Sequence, residues 1–166
     1  MSLPAEETII NPTIDFKGFS LNVNKSEAIF SPGSDRSLSE EAFLKATAED
    51  GVIILDARSA TDYGKLHIVG AVNLPFTDFT EASLAGVIPS KSTKVLIYCN
   101  NNFRGAATMT KVASAALNLH SAVALQSYGY TNVFQLSPLI DIRKTKIPFK
   151  GTALVAPSEL SNSFNR

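Results

Sequence analysis

The sequence predicts an α/β domain built on a central parallel sheet. Three observations carry this. "VIILDA" (Val52–Ala57) and "KVLIYC" (Lys94–Cys99) are short apolar runs rich in β-branched residues, the pattern of strands buried on both faces. "NVFQL" (Asn132–Leu136) reads as a third strand. Between them lie segments with helix caps and helical spacing, and strands alternating with helices are the signature of βαβ units.

The elements follow in order. Pro4 to Arg36 reads as an irregular extension punctuated by Pro12, Gly18, Pro32 and Gly33. Its apolar residues Ile9, Ile10, Ile14, Phe16, Phe19 and Leu21 predict that it packs on the body. "SLSEEAFLKATAED" predicts a helix, with Ser37 or Ser39 as cap and glutamates in the first turn, where the helix dipole favours them. After the strand Val52–Ala57, Ser59 and Asp62 are spaced as a capping box for a short helix. "GAVNLP" (Gly70–Pro75) reads as a short strand, and "TEASLAGV" as a helix opened by Thr77 or Thr80. In "LNLHSAVALQSYG", Leu117, Val123, Ala124 and Tyr128 fit one helical face, and Gly129 is the expected stop. The expected organisation is therefore an N-terminal extension over 1–36, a folded domain over 37–150 and a polar tail over 151–166, frayed from Pro157 onward.

Composition narrows the function classes. The chain has 166 residues, 45% of them apolar, which suits one domain with an ordinary core. Lysine plus arginine equals aspartate plus glutamate, 15 against 15, and no basic block points to nucleic acid. No stretch reaches the roughly 18 apolar residues of a membrane span. Met1 to Thr8 are polar and acidic, unlike a signal peptide. "MSL" looks like a cloning scar, so a removed leader stays open. A soluble protein is expected, in the cytoplasm or the periplasm. A single cysteine excludes an internal disulfide, and with two histidines it matches no common metal-ligand pattern, so no metal and no cofactor are expected.

That cysteine is the candidate nucleophile. Cys99 stands at the carboxyl end of a predicted central strand, where open α/β sheets place their sites. Asn100, Asn101 and Asn102 follow, then Phe103 and Arg104. Asparagine tolerates left-handed backbone, so this loop is expected to curl several N–H groups towards one centre. A sulfur at that centre would be partly accessible and stabilised as thiolate, the nucleophilic form, with Arg104 adding positive charge. The competing reading is a buried thiol used as a small hydrophobe.

Cys99 followed at the fifth position by Arg104 resembles the active-site loop of rhodanese-like sulfurtransferases. "ILDARSATDYGKLHIVGAVNLP" (Ile54–Pro75) is similar to a second segment of that family, with Asp56, Arg58, Tyr63, His67, Ile68, Gly70, Ala71, Asn73 and Pro75 on the pattern. "YGYTNVFQL" resembles its last helix end and strand. Together the segments span about Leu38 to Pro148.

The resemblance implies a rhodanese-like fold, with helices on both faces of the sheet, and an enzyme of the thiosulfate sulfurtransferase type. Cys99 would take a sulfane sulfur from a small donor such as thiosulfate, hold it as a persulfide, and pass it to cyanide, a small thiol or a protein acceptor. Arg104 would assist catalysis, Asn100, Asn101, Asn102 and Phe103 would form the substrate loop, and Asp56 and Arg58 would support it. The six-residue span Cys99–Arg104 matches the family's sulfur-sized loop; the related phosphatase loop is one residue longer. The alternative implied by the same resemblance is a noncatalytic binding or redox-sensing module.

Departures from the pattern are Leu66 before His67, and Ser137 and Pro138 after the last strand. About ten extra residues, "GAATMTKVAS", also follow Arg104, a count set by the helix stop at Gly129. They predict an irregular stretch or separate short helix over Gly105–Ser114, with the main helix starting near Ala116. His67 is expected to be a structural hydrogen-bonding residue, His120 to lie on a helix surface or in a loop, and Tyr128 and Tyr130 to pack. The sequence leaves the oligomeric state open.

Overall fold

A computed structural model describes residues 11–154. Its elements run α1 (Phe16–Phe30), β1 (Ser37–Leu38), α2 (Glu40–Thr47), β2 (Ile53–Asp56), α3 (Ala60–Lys65), β3 (His67–Ile68), β4 (Val72–Asn73), α4 (Glu81–Val87), β5 (Val95–Tyr98), β6 (Phe103–Arg104), α5 (Leu117–Ser127), β7 (Val133–Leu136), β8 (Ile140–Asp141) and β9 (Phe149–Lys150). Short 3-10 turns occupy Phe76–Asp78, Asn100–Asn102 and Ala113–Ala115.

Five strands form one sheet in the order β1-β7-β5-β2-β4, with every pairing parallel. The three strands legible in the sequence are its centre: Ile53 pairs with Val95, and Val95 with Val133. Alternation along these strands divides the core in two. Ile54, Leu96, Tyr98 and Leu136 pack with Phe43 and Ala46 of α2. Leu55, Val95, Ile97 and Val133 face the other way, onto Ile29 of α1, Leu84 of α4, and Ala122 and Leu125 of α5. Both faces are covered, which is why these strands read as continuous apolar runs.

The caps fall where the sequence places them. The side chains of Ser39, Ser59 and Thr80 accept from the backbone N–H groups of Ala42, Asp62 and Ser83. Gly129 takes a φ of 84° just past α5, as a left-handed helix stop requires. Gly151 in the β9 turn is locked more tightly, since a Cβ there would lie 2.1 Å from the Lys65 carbonyl oxygen.

The N-terminal expectation needs correcting. Residues 16–30 are not irregular but a 15-residue helix, capped by Asp15, whose side chain accepts from Gly18 N–H. Its inward residues are Ser26 and Ile29; Ile14, Phe16, Phe19 and Leu21, expected to be the packing residues, are exposed. Ile9 and Ile10 lie outside the described residues, as does the tail from Pro157.

Candidate functional site

The site grows from the end of β2. Asp56 is fully buried, and its carboxylate accepts from four donors: Arg58 N–H (3.0 Å), Arg58 Nε (2.9 Å), Arg58 Nη2 (2.5 Å) and the Tyr98 hydroxyl (2.5 Å). A buried ion pair is tolerable when its remaining donors and acceptors are also satisfied. They are here: Arg58 Nη2 also donates to the Leu66 carbonyl (2.5 Å), and Nη1 to Asn100 Oδ1 (2.8 Å). Burial opposes the charge of Arg58, but the hydrogen bond and ion pair with Asp56 outweigh it and raise its pKa above the ordinary value. Tyr98 is pushed far above the usual tyrosine range, first by burial and then by the Asp56 charge, so it remains a phenol and a donor. Asn73 closes the corner, its Nδ2 donating to the carbonyls of Asp56 and Arg58 at 3.0 Å each.

Cys99 follows β5 directly. It is 2% exposed, not partly accessible as the sequence suggests. The loop after it also differs from the expected nest. Asn100–Asn102 form a right-handed 3-10 turn, and among the described residues only glycines have positive φ. The expected nest of alternating right- and left-handed residues is therefore not formed by the asparagines. Within the turn, Asn102 N–H donates to the Cys99 carbonyl at 3.0 Å.

The three asparagines are tethers. Asn100 Oδ1 accepts from Arg58, while its Nδ2 donates to Asp62 Oδ2 (2.9 Å) and the Met109 carbonyl (3.1 Å). Asn101 exchanges a pair of hydrogen bonds with Lys111: Lys111 N–H to Asn101 Oδ1 (2.9 Å) and Asn101 Nδ2 to the Lys111 carbonyl (2.8 Å). Asn102 Nδ2 donates to the carbonyls of Leu136 (2.8 Å) and Pro138 (3.2 Å), beyond β7. Side chains engaged in this way fix a right-handed turn without any help from left-handed backbone.

Two further expected site residues sit elsewhere. Phe103 is a core residue, its ring 5.5 Å from Tyr98 and 5.2 Å from Phe149. Arg104 is exposed on β6, paired in register with Asp141 of β8. The inserted stretch behaves as its composition predicts: it is irregular after Gly105, with a 3-10 turn at Ala113–Ala115, and α5 begins at Leu117. His67 is structural: its ring stacks on Tyr63 at 3.9 Å, and Nδ1 lies 2.8 Å from the Tyr63 carbonyl oxygen.

Cys99 lies between two cavities. The larger, about 630 Å³, is walled by Arg58, Asp62, Phe76, Asp78, Asn100 and Lys111. The smaller, about 300 Å³, is walled by Phe30, Asn102, Asn118, Leu119 and Gln135. Arg104 lines neither. The cation that faces the larger cavity from the inserted stretch is Lys111, which sequence reasoning missed because nothing in "GAATMTKVAS" marks it. The larger cavity carries both signs of charge, Arg58 and Lys111 against Asp62 and Asp78. Among the described residues no three of His, Cys, Asp and Glu gather as a metal site, and no helix is long and apolar enough to cross a membrane.

A parallel five-stranded sheet with helices, a thiol closing its central strand and an Asp-x-Arg pair beside it define an α/β protein of the rhodanese type. The family model described as Rhodanese-like domain matches residues 39–138, and the chain belongs to that family. No curated protein matches it. Among solved structures it is similar to the rhodanese-like domain of the Alr3790 protein from Anabaena sp., at 19% identity over 72% of this chain and 81% of that one, with a TM-score of 0.50. It is also similar to the BH2092 protein of Bacillus halodurans (17% identity, 83% and 97% coverage, TM-score 0.48). A rhodanese with anions from E. coli matches at 20% identity, over 60% of this chain and 98% of that one, with a TM-score of 0.41. The helix α1 lies outside the region that the family model matches.

Proposed function

We propose that the chain transfers sulfane sulfur through a persulfide on Cys99. The observation that carries this is the position of the thiol: it ends the central strand β5 and borders two cavities, one of them lined by Lys111. Family membership supports the chemistry. In the first step the Cys99 thiolate attacks the outer sulfur of thiosulfate. A new S–S bond forms, the S–S bond of thiosulfate breaks, and sulfite leaves with the electron pair. In the second step a nucleophile attacks the outer persulfide sulfur. Cyanide leaves as thiocyanate, or a thiol leaves as its own persulfide, and Cys99 returns as thiolate. Asn102 holds the turn beside the sulfur, its Oδ1 accepting from Cys99 N–H. Arg58 and Asp56 act indirectly, holding Asn100 and with it the start of the turn.

The test is intact mass. Thiosulfate should add one sulfur atom to the wild-type chain and none to Cys99→Ser, and cyanide should remove it with release of thiocyanate. Failure to gain sulfur sinks the proposal.

A second reading, a noncatalytic binding or redox-sensing module, draws support from two observations: the 2% exposure of Cys99, and the position of Arg104 away from both cavities. Iodoacetamide separates its two forms. A thiol that alkylates in the folded chain yet takes no sulfur fits a sensor; one that does neither fits a binding module.

A further inference from the structure

The helix outside the family match builds something of its own. α1 packs along α5, and between them runs a groove of about 720 Å³. Its walls include Phe19, Val23, Phe30, Val123, Ala124 and Tyr128. The ionisable groups that face it are Glu27, His120 and the Tyr128 hydroxyl, which donates to the Phe79 carbonyl. Such a volume suits a small organic molecule, and the apolar walls select an apolar one. A carboxylate without an opposing lysine or arginine in the lining disfavours an anion.

The groove is not isolated from the thiol. Phe30 and Leu119 line both the groove and the small cavity on Cys99, and Phe76 lines both the groove and the larger one. A second observation stands at the junction. Asn118, in the wall of the small cavity, is 5% exposed, and its Oδ1 has no hydrogen-bond partner among the described residues. A buried acceptor left unpaired is costly and is commonly explained by a group that binds there.

We propose that the α1–α5 groove is the acceptor site for a small thiol with an apolar, aromatic or aliphatic, body. The body fills the groove, and the sulfur passes between Phe30 and Leu119 to Cys99. Asn118 Oδ1 accepts the hydrogen bond of the incoming S–H. The thiol loses its proton to water and attacks the outer sulfur of the Cys99 persulfide. The Cys99–S bond breaks, Cys99 leaves as thiolate, and the acceptor departs as an apolar persulfide. No net oxidation or reduction occurs. The anionic donor enters on the opposite, polar side, past Lys111. This inference rests on the sulfur-transfer reading and names the substrate class for its second half.

Two measurements on the full chain test it. The first needs no sulfur chemistry. 2-Phenylethanol, the unreactive analogue of 2-phenylethanethiol, is titrated into the nitrogen-15-labelled protein. Amide shifts gathered on α1 and on Leu119–Tyr128 are expected; no shifts, or shifts elsewhere, overturn the groove. The second compares discharge of sulfur-loaded protein by 2-phenylethanethiol and by 2-mercaptoethanol at equal thiolate concentration. The phenyl thiol should be faster by about tenfold, the effect of burying part of one ring. Ala124→Trp, which fills the groove, should bring that ratio close to one. Phe19→Ala, at a position 52% exposed, should lower it in a chain that keeps its fold. A wild-type ratio near one overturns the proposal. If the protein binds 2-phenylethanol in the groove but takes no sulfur, the acceptor role falls together with the sulfur-transfer reading, and the binding result shows that the groove itself was not at fault.

Discussion

Cys99 and Asn102 hold each other from both sides. Cys99 N–H donates to Asn102 Oδ1 at 2.9 Å, and Asn102 N–H donates back to the Cys99 carbonyl at 3.0 Å. Both backbone groups of Cys99 are thereby satisfied by one residue of the turn. It fixes the turn against the end of β5, and Asn102 Nδ2 fastens the turn to the carbonyls of Leu136 and Pro138. The last strand, the turn and the nucleophile are thus one hydrogen-bonded unit.

Asn102→Ala should therefore disturb both stability and chemistry. It strands Cys99 N–H and the Leu136 carbonyl in a buried place, and each unsatisfied group costs about 1–3 kcal/mol. Urea unfolding should show a loss of roughly 2–4 kcal/mol, and loading of Cys99 by thiosulfate should slow in the folded fraction. Asn102→Asp should be worse than alanine, because a carboxylate would face two carbonyl oxygens. A stability loss below that of an ordinary surface substitution would show that the exchange is incidental.

How much of this was legible beforehand follows from what each residue does. Ile54, Leu96 and Val133 are buried by two layers of helices, so their runs read as strands. Ser39, Ser59 and Thr80 cap locally, and local chemistry shows in sequence. Helix α1 was hidden because its inward face carries Ser26 beside Ile29 while Phe16, Phe19 and Leu21 are exposed. Asn100–Asn102 were legible as unusual but not as tethers, because their partners Arg58, Lys111 and Leu136 are set by tertiary contact. Arg104 was misplaced as a cation beside the thiol for the same reason: spacing along the chain does not fix a side chain's direction once β6 pairs with β8.

Tyr98 gives the fold a dependence on alkaline pH. Burial, reinforced by the Asp56 charge, raises its hydroxyl above the unfolded value of about 10. A raised folded pKa means that the native state holds the proton more tightly. The stabilisation is whole below the unfolded value and is lost as pH rises through it towards the folded value. Urea midpoints measured near pH 8 and near pH 11 should fall further for wild type than for Tyr98→Phe. At the lower pH, Tyr98→Phe should itself be less stable by about 1–2 kcal/mol, since Asp56 loses a donor and Ile68 N–H loses its acceptor. Parallel curves for the two proteins would show that the hydroxyl does not titrate with folding.

Asn101 pins the inserted stretch through Lys111 alone, with one bond in each direction. Asn101→Ala should loosen that stretch around Lys111 without touching the core, leaving the Asn100 bond to the Met109 carbonyl in place. Trypsin cleavage after Lys111 should accelerate by about tenfold, equivalent to losing about 1.4 kcal/mol of local closure, while the global unfolding midpoint moves little. Unchanged cleavage would mean that the stretch is held by contacts other than this pair.

The charges around the larger cavity decide which arginine or lysine matters to an anionic donor. Lys111 and Arg58 face it with Asp62 and Asp78, and Arg58 is already committed to Asp56. Removing Lys111 therefore leaves the cavity negative, and thiosulfate carries two negative charges. Lys111→Ala should slow loading of Cys99 by about tenfold at low salt, a change of about 1.4 kcal/mol in the barrier. Asp78→Asn removes a carboxylate from the same wall and should speed loading by several-fold. It is the cleaner of the two acidic positions, because Asp62 also holds Asn100. Added salt should shrink both effects, since the groups lie near solvent and are screened. Arg104→Ala, on the exposed strand β6, should change the loading rate by no more than about twofold, a difference within ordinary surface effects. The rates come from timed intact-mass spectra after mixing with thiosulfate. Slower loading in Arg104→Ala than in Lys111→Ala would reverse the assignment and put Arg104 back beside the thiol when substrate is bound.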